Sequence, residues 1–269
     1  MMETVLNVRG LCKHYPGFAL ENVSFSLSQG HIMGLIGKNG AGKSTTLKSI
    51  LNMVSPESGS IEVFQQDFYQ HEKECKQRIS IVFGGIDFYP LKKLSTITAV
   101  TRKFYIGWDQ GQYEKYVKLF ALDEGKKFKE LSNGLKVKYL LALALSHHAE
   151  LLILDEPTSG LDPVSREELL YIFRQLVKKE NCSILFSTHI TSDLDRCADD
   201  ITYIHGGRVL ESADKDRFLR SFDYLRKAED TGQLTLEEIM LRMERPANKS
   251  QVEISDFLGR QKGNTKSSR

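Results

Sequence analysis

The run Gly37-Lys38-Asn39-Gly40-Ala41-Gly42-Lys43-Ser44-Thr45 satisfies G-x-x-x-x-G-K-[ST], a spacing suited to holding a polyphosphate. Its glycines let successive backbone N–H groups curl around phosphate oxygens, and a helix opening at the end of the run adds favourable partial charge. Lys43 then reaches the β/γ-phosphates, and the Ser44 hydroxyl is a ligand for Mg²⁺. The second chemical unit is Leu151-Leu152-Ile153-Leu154-Asp155-Glu156, an apolar strand that ends in two carboxylates. An open α/β sheet places its ligands at such strand ends. Asp155 is assigned to the Mg²⁺ shell. Glu156, one residue further out, is assigned as general base or orienter for a water on the γ-phosphate. Without the glycine loop, the same two residues would read as solvated carboxylates at a strand end.

The elements that must position these groups can be followed along the chain. Residues 31–36 form an apolar run of strand length that stops at the loop, after which Leu47, Ile50, Leu51 and Val54 recur at helical spacing. Upstream, Val5, Val8, Val23, Phe25 and Leu27 alternate between turns expected at Gly10, Pro16-Gly17 and Gln29-Gly30. Pro56-Glu57-Ser58-Gly59 turns into a strand at residues 61–64, and a further strand is expected at residues 79–83. Residues 87–148 turn helical, as shown by Tyr113, Tyr116, Val117 and Phe120 and by the apolar stretch 140–145. Strands return at residues 151–154 and 184–186, separated by a helix from Pro163 whose apolar face carries Leu169, Phe173, Leu176 and Val177. Strands alternating with helices imply a parallel sheet. Gly206-Gly207 joins a hairpin, and Thr235 with Glu238 has capping-box spacing ahead of Ile239, Met240 and Met243. Beyond Arg245, basic residues outnumber Glu253 and Asp256, and a flexible solvated tail is expected.

Composition narrows the function classes. The 269 residues carry 37 Lys+Arg against 35 Asp+Glu, a net charge of +2, which excludes a polyelectrolyte that binds nucleic acid or anionic lipid through bulk charge. Cys12, Cys75, Cys182 and Cys197 are scattered without metal-finger spacing, as expected of reduced, buried thiols. No apolar stretch approaches the roughly 20 residues of a helical membrane span, and no secretory signal is visible at the N-terminus. Any membrane role therefore needs a partner chain.

Over residues 5–211 the motifs resemble those of the nucleotide-binding subunit of ATP-binding cassette (ABC) transporters. Leu131-Ser132-Asn133-Gly134-Leu135 is similar to the family's signature sequence, which separates it from other P-loop ATPases. Physically, Ser132, Asn133 and Gly134 precede a helix and offer a hydroxyl and free N–H groups as an anion site. The resemblance implies that this site binds the γ-phosphate of ATP held by the opposite subunit. Ser159-Gly160-Leu161-Asp162 looks like the D-loop, with Asp162 near the nucleotide, and His189 looks like the switch histidine that senses the γ-phosphate beside Glu156. Lys13-His14-Tyr15 matches the aromatic loop whose ring stacks on adenine. The implied fold class is α/β: a P-loop NTPase ABC-ATPase core with an N-terminal antiparallel β region, an inserted helical subdomain and a short helical C-terminal extension. The corresponding domains are residues 1–86 and 149–214 for the core, 87–148 for the helical subdomain and 215–269 for the extension.

The resemblance further implies ATP and Mg²⁺ as cofactors and a peripheral location at the cytoplasmic face of the membrane. It implies a separate permease as partner, a homodimer or heterodimer of cassettes, no nucleic acid, and export rather than import. Three departures stand out. Gly84 occupies the place of the family's glutamine, so a water or Asp87 would replace that ligand and basal hydrolysis would be slow. Asn133 stands for glycine and Leu135 for glutamine. With Phe104-Tyr105-Ile106-Gly107-Trp108-Asp109, these changes resemble a bacterial subgroup paired with ABC-2-type permeases. The alternatives are a soluble ABC-type ATPase acting on DNA or ribosomes, disfavoured by the absence of sustained heptads, and a non-hydrolysing regulatory subunit, disfavoured by Glu156.

Overall fold

The computed structural model describes residues 3–83, 89–180 and 182–244. The elements are β1 (Thr4–Tyr15), β2 (Phe18–Ser28), β3 (Ile32–Ile36), α1 (Lys43–Ile50), β4 (Ser58–Val63), β5 (Gln66–Asp67), α2 (Glu72–Gln77) and β6 (Ile79–Phe83). They continue with α3 (Leu94–Thr101), α4 (Gln110–Leu119), α5 (Asn133–Ser146), β7 (Leu151–Asp155), α6 (Pro163–Glu180), β8 (Ser183–Thr188) and α7 (Thr191–Cys197). The chain then forms β9 (Asp200–His205), β10 (Arg208–Asp214), α8 (Lys215–Ser221) and α9 (Leu236–Glu244).

Two sheets organise these elements. The larger has the order β10-β9-β3-β8-β7-β6, parallel from β9 to β6, with β10 antiparallel at one edge. The smaller, β2-β1-β4-β5, is antiparallel. Every residue of β3, β7 and β8 is buried, as continuous apolar runs must be when both faces of a parallel sheet are covered. Alternate residues of each strand feed different cores: Met33, Leu35, Ile153 and Leu185 meet α1 and the small sheet. Ile32, Ile36, Leu152, Leu154 and Phe186 meet the helices on the opposite face.

The second core runs without a break into α3, α4 and α5. Those helices are fastened by a buried polar network. Thr98 Oγ1 bonds the hydroxyls of Tyr113 (2.8 Å) and Tyr139 (3.0 Å), Tyr139 donates to the Leu94 carbonyl (3.1 Å), and Tyr113 donates to Glu124 (2.9 Å). Satisfied networks of this kind fix one packing arrangement, because each unpaired member would carry a desolvation penalty.

Several local expectations shift. The strand expected to break at Gly10 continues to Tyr15, and Gly10 falls instead in a stretch of irregular register between Val8 and Leu11. The expected turn at Ser58-Gly59 is already strand, since β4 pairs there with Cys12 of β1. The helix expected to reach Val54 ends at Ile50, with Leu51 as its C-cap. The expected capping box forms: Thr235 N–H donates to Glu238 (2.8 Å) and Glu238 N–H returns a bond to Thr235 Oγ1 (3.2 Å). Cys75, Cys182 and Cys197 are buried and Cys12 half-buried, all as free thiols. Gly84, Asp87 and the tail beyond Glu244 lie outside the described residues. No helix among the described residues is long and apolar enough to cross a membrane.

Candidate nucleotide site

The glycine loop leaves the C-terminal end of β3, the strand between β8 and β9, and runs directly into α1. Two glycines are required by geometry. Gly42, the N-cap of α1, has φ +113°, and a Cβ there would fall 2.6 Å from Leu20 Cδ2. A Cβ on Gly37 would fall 2.3 Å from the Ile204 carbonyl oxygen of β9. Gly207 N–H, in the β9–β10 turn, donates to the Ala41 carbonyl (3.0 Å), so the loop is pressed against the neighbouring strand. Lys38, Asn39 and Gly40 remain exposed, and Ser44 and Thr45 are half-buried in the first turn of α1.

Lys43 is buried, and its ammonium donates to the carbonyls of Gly37 (2.7 Å) and Lys38 (3.3 Å). The same ammonium lies 3.4 Å from Glu156 Oε1, while Glu156 Oε2 is 2.8 Å from His189 Nδ1. One carboxylate therefore joins the loop lysine to the histidine that follows β8. The backbone turns sharply to achieve this: Glu156 has φ +50°, a left-handed conformation rare for a side chain with Cβ. Its N–H is held by the carbonyl (3.1 Å) and hydroxyl (3.0 Å) of Ser187. Ser187 also donates to Asp155 Oδ1. Among the described residues no hydrogen bond reaches Asp155 Oδ2.

These donors fit Mg²⁺, which takes hard oxygen ligands from one or two protein groups together with substrate phosphates and water. In donor type, the Ser44 hydroxyl and the Asp155 carboxylate held by Ser187 match that demand.

The remaining predicted residues are placed as follows. Ser132 is exposed and caps α5, its Oγ accepting from Leu135 N–H (3.3 Å). Asn133 and Gly134 sit beside the turn before α6, with Asn133 Nδ2 3.2 Å from where a Cβ of Gly160 would lie. These residues form a separate group; among the described residues no hydrogen bond or ion pair joins them to Lys43. Asp162 caps α6, its carboxylate accepting from the N–H groups of Val164 and Ser165 (3.0 Å each) and the Ser165 hydroxyl (2.6 Å). The Ser165 bonds hold its carboxyl below the usual aspartate range. Tyr15 is half-exposed at the end of β1, opposite Phe18, and Phe18 and Leu20 flank Gly42, which sets this hairpin at the rim of the loop.

Three participants were not legible beforehand. Ser187 was visible in Ser187-Thr188-His189, but only the β7–β8 register sets it opposite Asp155. Asp193, in the first turn of α7, reads as an ordinary helix-start acid. It is 1% exposed, accepts a 2.6 Å bond from the Thr158 hydroxyl and lies 4.0 Å from Arg166, linking the turn after Glu156 to the helix after His189. Burial pushes its carboxyl up despite those partners. Glu244 reaches Lys38 from the distant α9.

A second feature lies away from the nucleotide loop. A cavity of about 360 Å³ opens between the turn after α1, β6, α3 and α5, lined mainly by Met53, Ile81, Phe83, Tyr105, Leu140 and His147. Gln77 clamps the segment at its edge, donating to the Phe104 carbonyl and accepting from Ile106 N–H (2.9 Å each). Tyr105 turns inward and stacks on His147 at 3.6 Å, leaving Phe104 70% and Ile106 95% exposed.

A model of the ABC transporter family matches residues 20–159. The chain is 33% identical over 229 residues to the bacitracin transport ATP-binding protein BcrA of Bacillus licheniformis, covering 84% of this chain and 72% of that protein. It is 32% identical over 202 residues to the ABC transporter ATP-binding protein NatA of Bacillus subtilis, covering 71% and 80% respectively. A solved ATP-binding subunit of an ABC transporter superposes with a TM-score of 0.77 at 28% identity, covering 90% of this chain and all of that one. The chain belongs to the ABC transporter family as an ATP-binding subunit, an ATPase whose hydrolysis is coupled to transport.

Proposed function

We propose that this subunit energises a separate ABC-2-type membrane permease working in export, through ATP-driven closure of a cassette dimer. The observation that carries the reading is the Lys43–Glu156–His189 cluster at the ends of adjacent strands. Glu156 Oε1 lies 3.4 Å from the Lys43 ammonium, the group that would meet the γ-phosphate. Nucleotide binding would draw Lys43 to the phosphates and release Glu156 to face an attacking water, with His189 orienting its second oxygen. Ser44 and Asp155 would hold Mg²⁺, which when bound neutralises charge on the β- and γ-phosphate oxygens. Tyr15 would stack on the adenine, and the exposed N–H groups at Ser132, Asn133 and Gly134 would complete the γ-phosphate site of the partner cassette, homologous or identical.

The apolar cavity beside Tyr105 and His147 is the reading's permease contact. A cytoplasmic helix of the permease would fill it, its seat widened by the exposed Phe104 and Ile106. Burying such side chains on association is favourable by about 25 cal/mol per Å². The bacitracin transport protein among the relatives supports a role in transport, and export rests on the family resemblance. The subunit would then lie at the cytoplasmic face of the membrane.

Light scattering of the Glu156→Gln protein with and without Mg-ATP tests this. The expected result is retained ATP binding with an ATP-dependent shift from monomer to dimer. Normal turnover by Glu156→Gln would refute the role of Glu156.

A further inference from the structure

The C-terminal helix α9 ends at the nucleotide loop. Its last residue, Glu244, is 17% exposed, and its carboxylate meets two hydrogen-bond donors and one ion-pair partner from two other parts of the chain. Oε1 accepts from the Tyr203 hydroxyl (3.1 Å) and from His205 Nδ1 (2.9 Å), both on β9, while Oε2 lies 3.1 Å from Lys38 Nζ. Burial opposes ionisation of this carboxyl, but the bonds from His205, Lys38 and Tyr203 prevail and hold it below the usual glutamate range.

The helix that delivers Glu244 is itself fixed. The Thr235–Glu238 box closes its start, Leu236 and Ile239 are buried in the helical core, and Arg242 forms a two-point pair with Asp230 (2.5 and 2.7 Å). Arg242 also donates to the Leu225 carbonyl (2.8 Å), tying α9 to the segment before it. On the other side, β9 already supports the loop: Tyr203 stands in register with Ile36, and Gly37 abuts the Ile204 carbonyl. The outer limb of the loop is thus held by β9 through backbone and by α9 through the side chain of Lys38, which is otherwise exposed.

We propose that Glu244 is a positioning residue for triphosphate binding, anchoring Lys38 and with it the outer limb of the loop, so that α9 registers nucleotide occupancy. A loop whose N–H donors are fixed in advance loses less conformational freedom when phosphate docks. By linkage, a ligand that depends on the anchored loop must in turn stabilise the anchor. The proposal rests on residues 37–45 being the triphosphate loop.

The test uses the full chain and the non-hydrolysable analogue adenosine 5′-(β,γ-imido)triphosphate with Mg²⁺, titrated calorimetrically. Glu244→Gln and Lys38→Gln should each weaken binding about three- to tenfold, the range for a charge pair shared between a buried and an exposed group. The double variant should be no weaker than either single one, and Lys38→Arg, which keeps the charge, should bind nearly as the native protein does. Hydrogen exchange in Leu236–Glu244 should slow when the analogue binds the native chain and not when it binds Lys38→Gln. Additive losses, unchanged affinity in both single variants, or exchange in α9 indifferent to nucleotide in the native chain would overturn the proposal. Should Glu244→Gln fail to fold, Lys38→Gln and the exchange measurement carry the test, since Lys38 is an exposed side chain. Lys43→Ala separates the two levels of the argument: if it keeps full affinity, the loop assignment fails and not the anchor.

Discussion

Replacing His147 by Phe should remove an acid weakness of the fold. His147 is 4% exposed, stacked on Tyr105, with Nδ1 3.2 Å from the Gln77 carbonyl and Nε2 without a hydrogen-bond partner. Burial lowers its pKa from 6.5 to about 4, against a smaller opposing pull from the Gln77 carbonyl. The native imidazole is therefore neutral where the unfolded one is charged. Above pH 6.5 neither state is protonated and the residue has no effect on the pH dependence. As the pH falls below that value only the unfolded chain takes up the proton, so stability declines, and the decline ends near pH 4, where the native state also protonates. The full loss corresponds to about 3 kcal/mol, and at about pH 5 it amounts to about 2 kcal/mol. Phe keeps a flat ring for Tyr105, and whatever it costs by abandoning the Gln77 carbonyl is the same at every pH. Urea unfolding of both proteins between about pH 7.5 and pH 4.5 reads the effect as the difference in slope, because carboxylate contributions cancel in the comparison. Parallel stability profiles would refute the account of a buried neutral His147.

Tyr15→Ala should weaken ATP binding by about 1–3 kcal/mol, the usual loss for one stacked base, as measured by titration; an unchanged dissociation constant would place the adenine elsewhere. Asp193→Ala should lower unfolding stability by about 1–3 kcal/mol, because it leaves the fully buried Thr158 hydroxyl without its acceptor and removes the ion-pair partner of the half-buried Arg166; denaturant midpoints check this, and an unchanged midpoint would contradict it. Ile106→Asp should leave ATP binding of the isolated subunit intact and abolish co-purification with the cognate permease, since it places a charge on the exposed apolar edge of the cavity; retained co-purification would move the docking surface.

The nucleotide loop and the two strand-end carboxylates were legible in the sequence because each depends on local order, an apolar run that ends in a loop, whereas the histidine after β8 was singled out only by the family resemblance. Periodicity of the same kind located β3, β7, β8 and α6. It misplaced the break at Gly10 because strand continuity in β1 depends on pairing with β2 and β4, a non-local fact. Tyr113 illustrates the limit well: its spacing marks an apolar helical face, but its hydroxyl is committed to Thr98 and Glu124.

What the sequence determined by itself was the chemical inventory and its order, since backbone conformation and strand or helix periodicity are encoded within a few residues. Which inventory members meet was decided by tertiary structure. Parallel register alone sets Ser187 opposite Asp155, and a left-handed turn at Glu156 brings one carboxylate between Lys43 and His189. Glu244 lies more than two hundred residues along the chain from Lys38, and no local pattern announces that pair. Their meeting follows from the burial of Leu236 and Ile239, which docks α9 and brings its last carboxylate to the loop. Hydrophobic burial is non-directional and acts between segments remote in sequence, so it fixes such contacts only when the whole chain has folded.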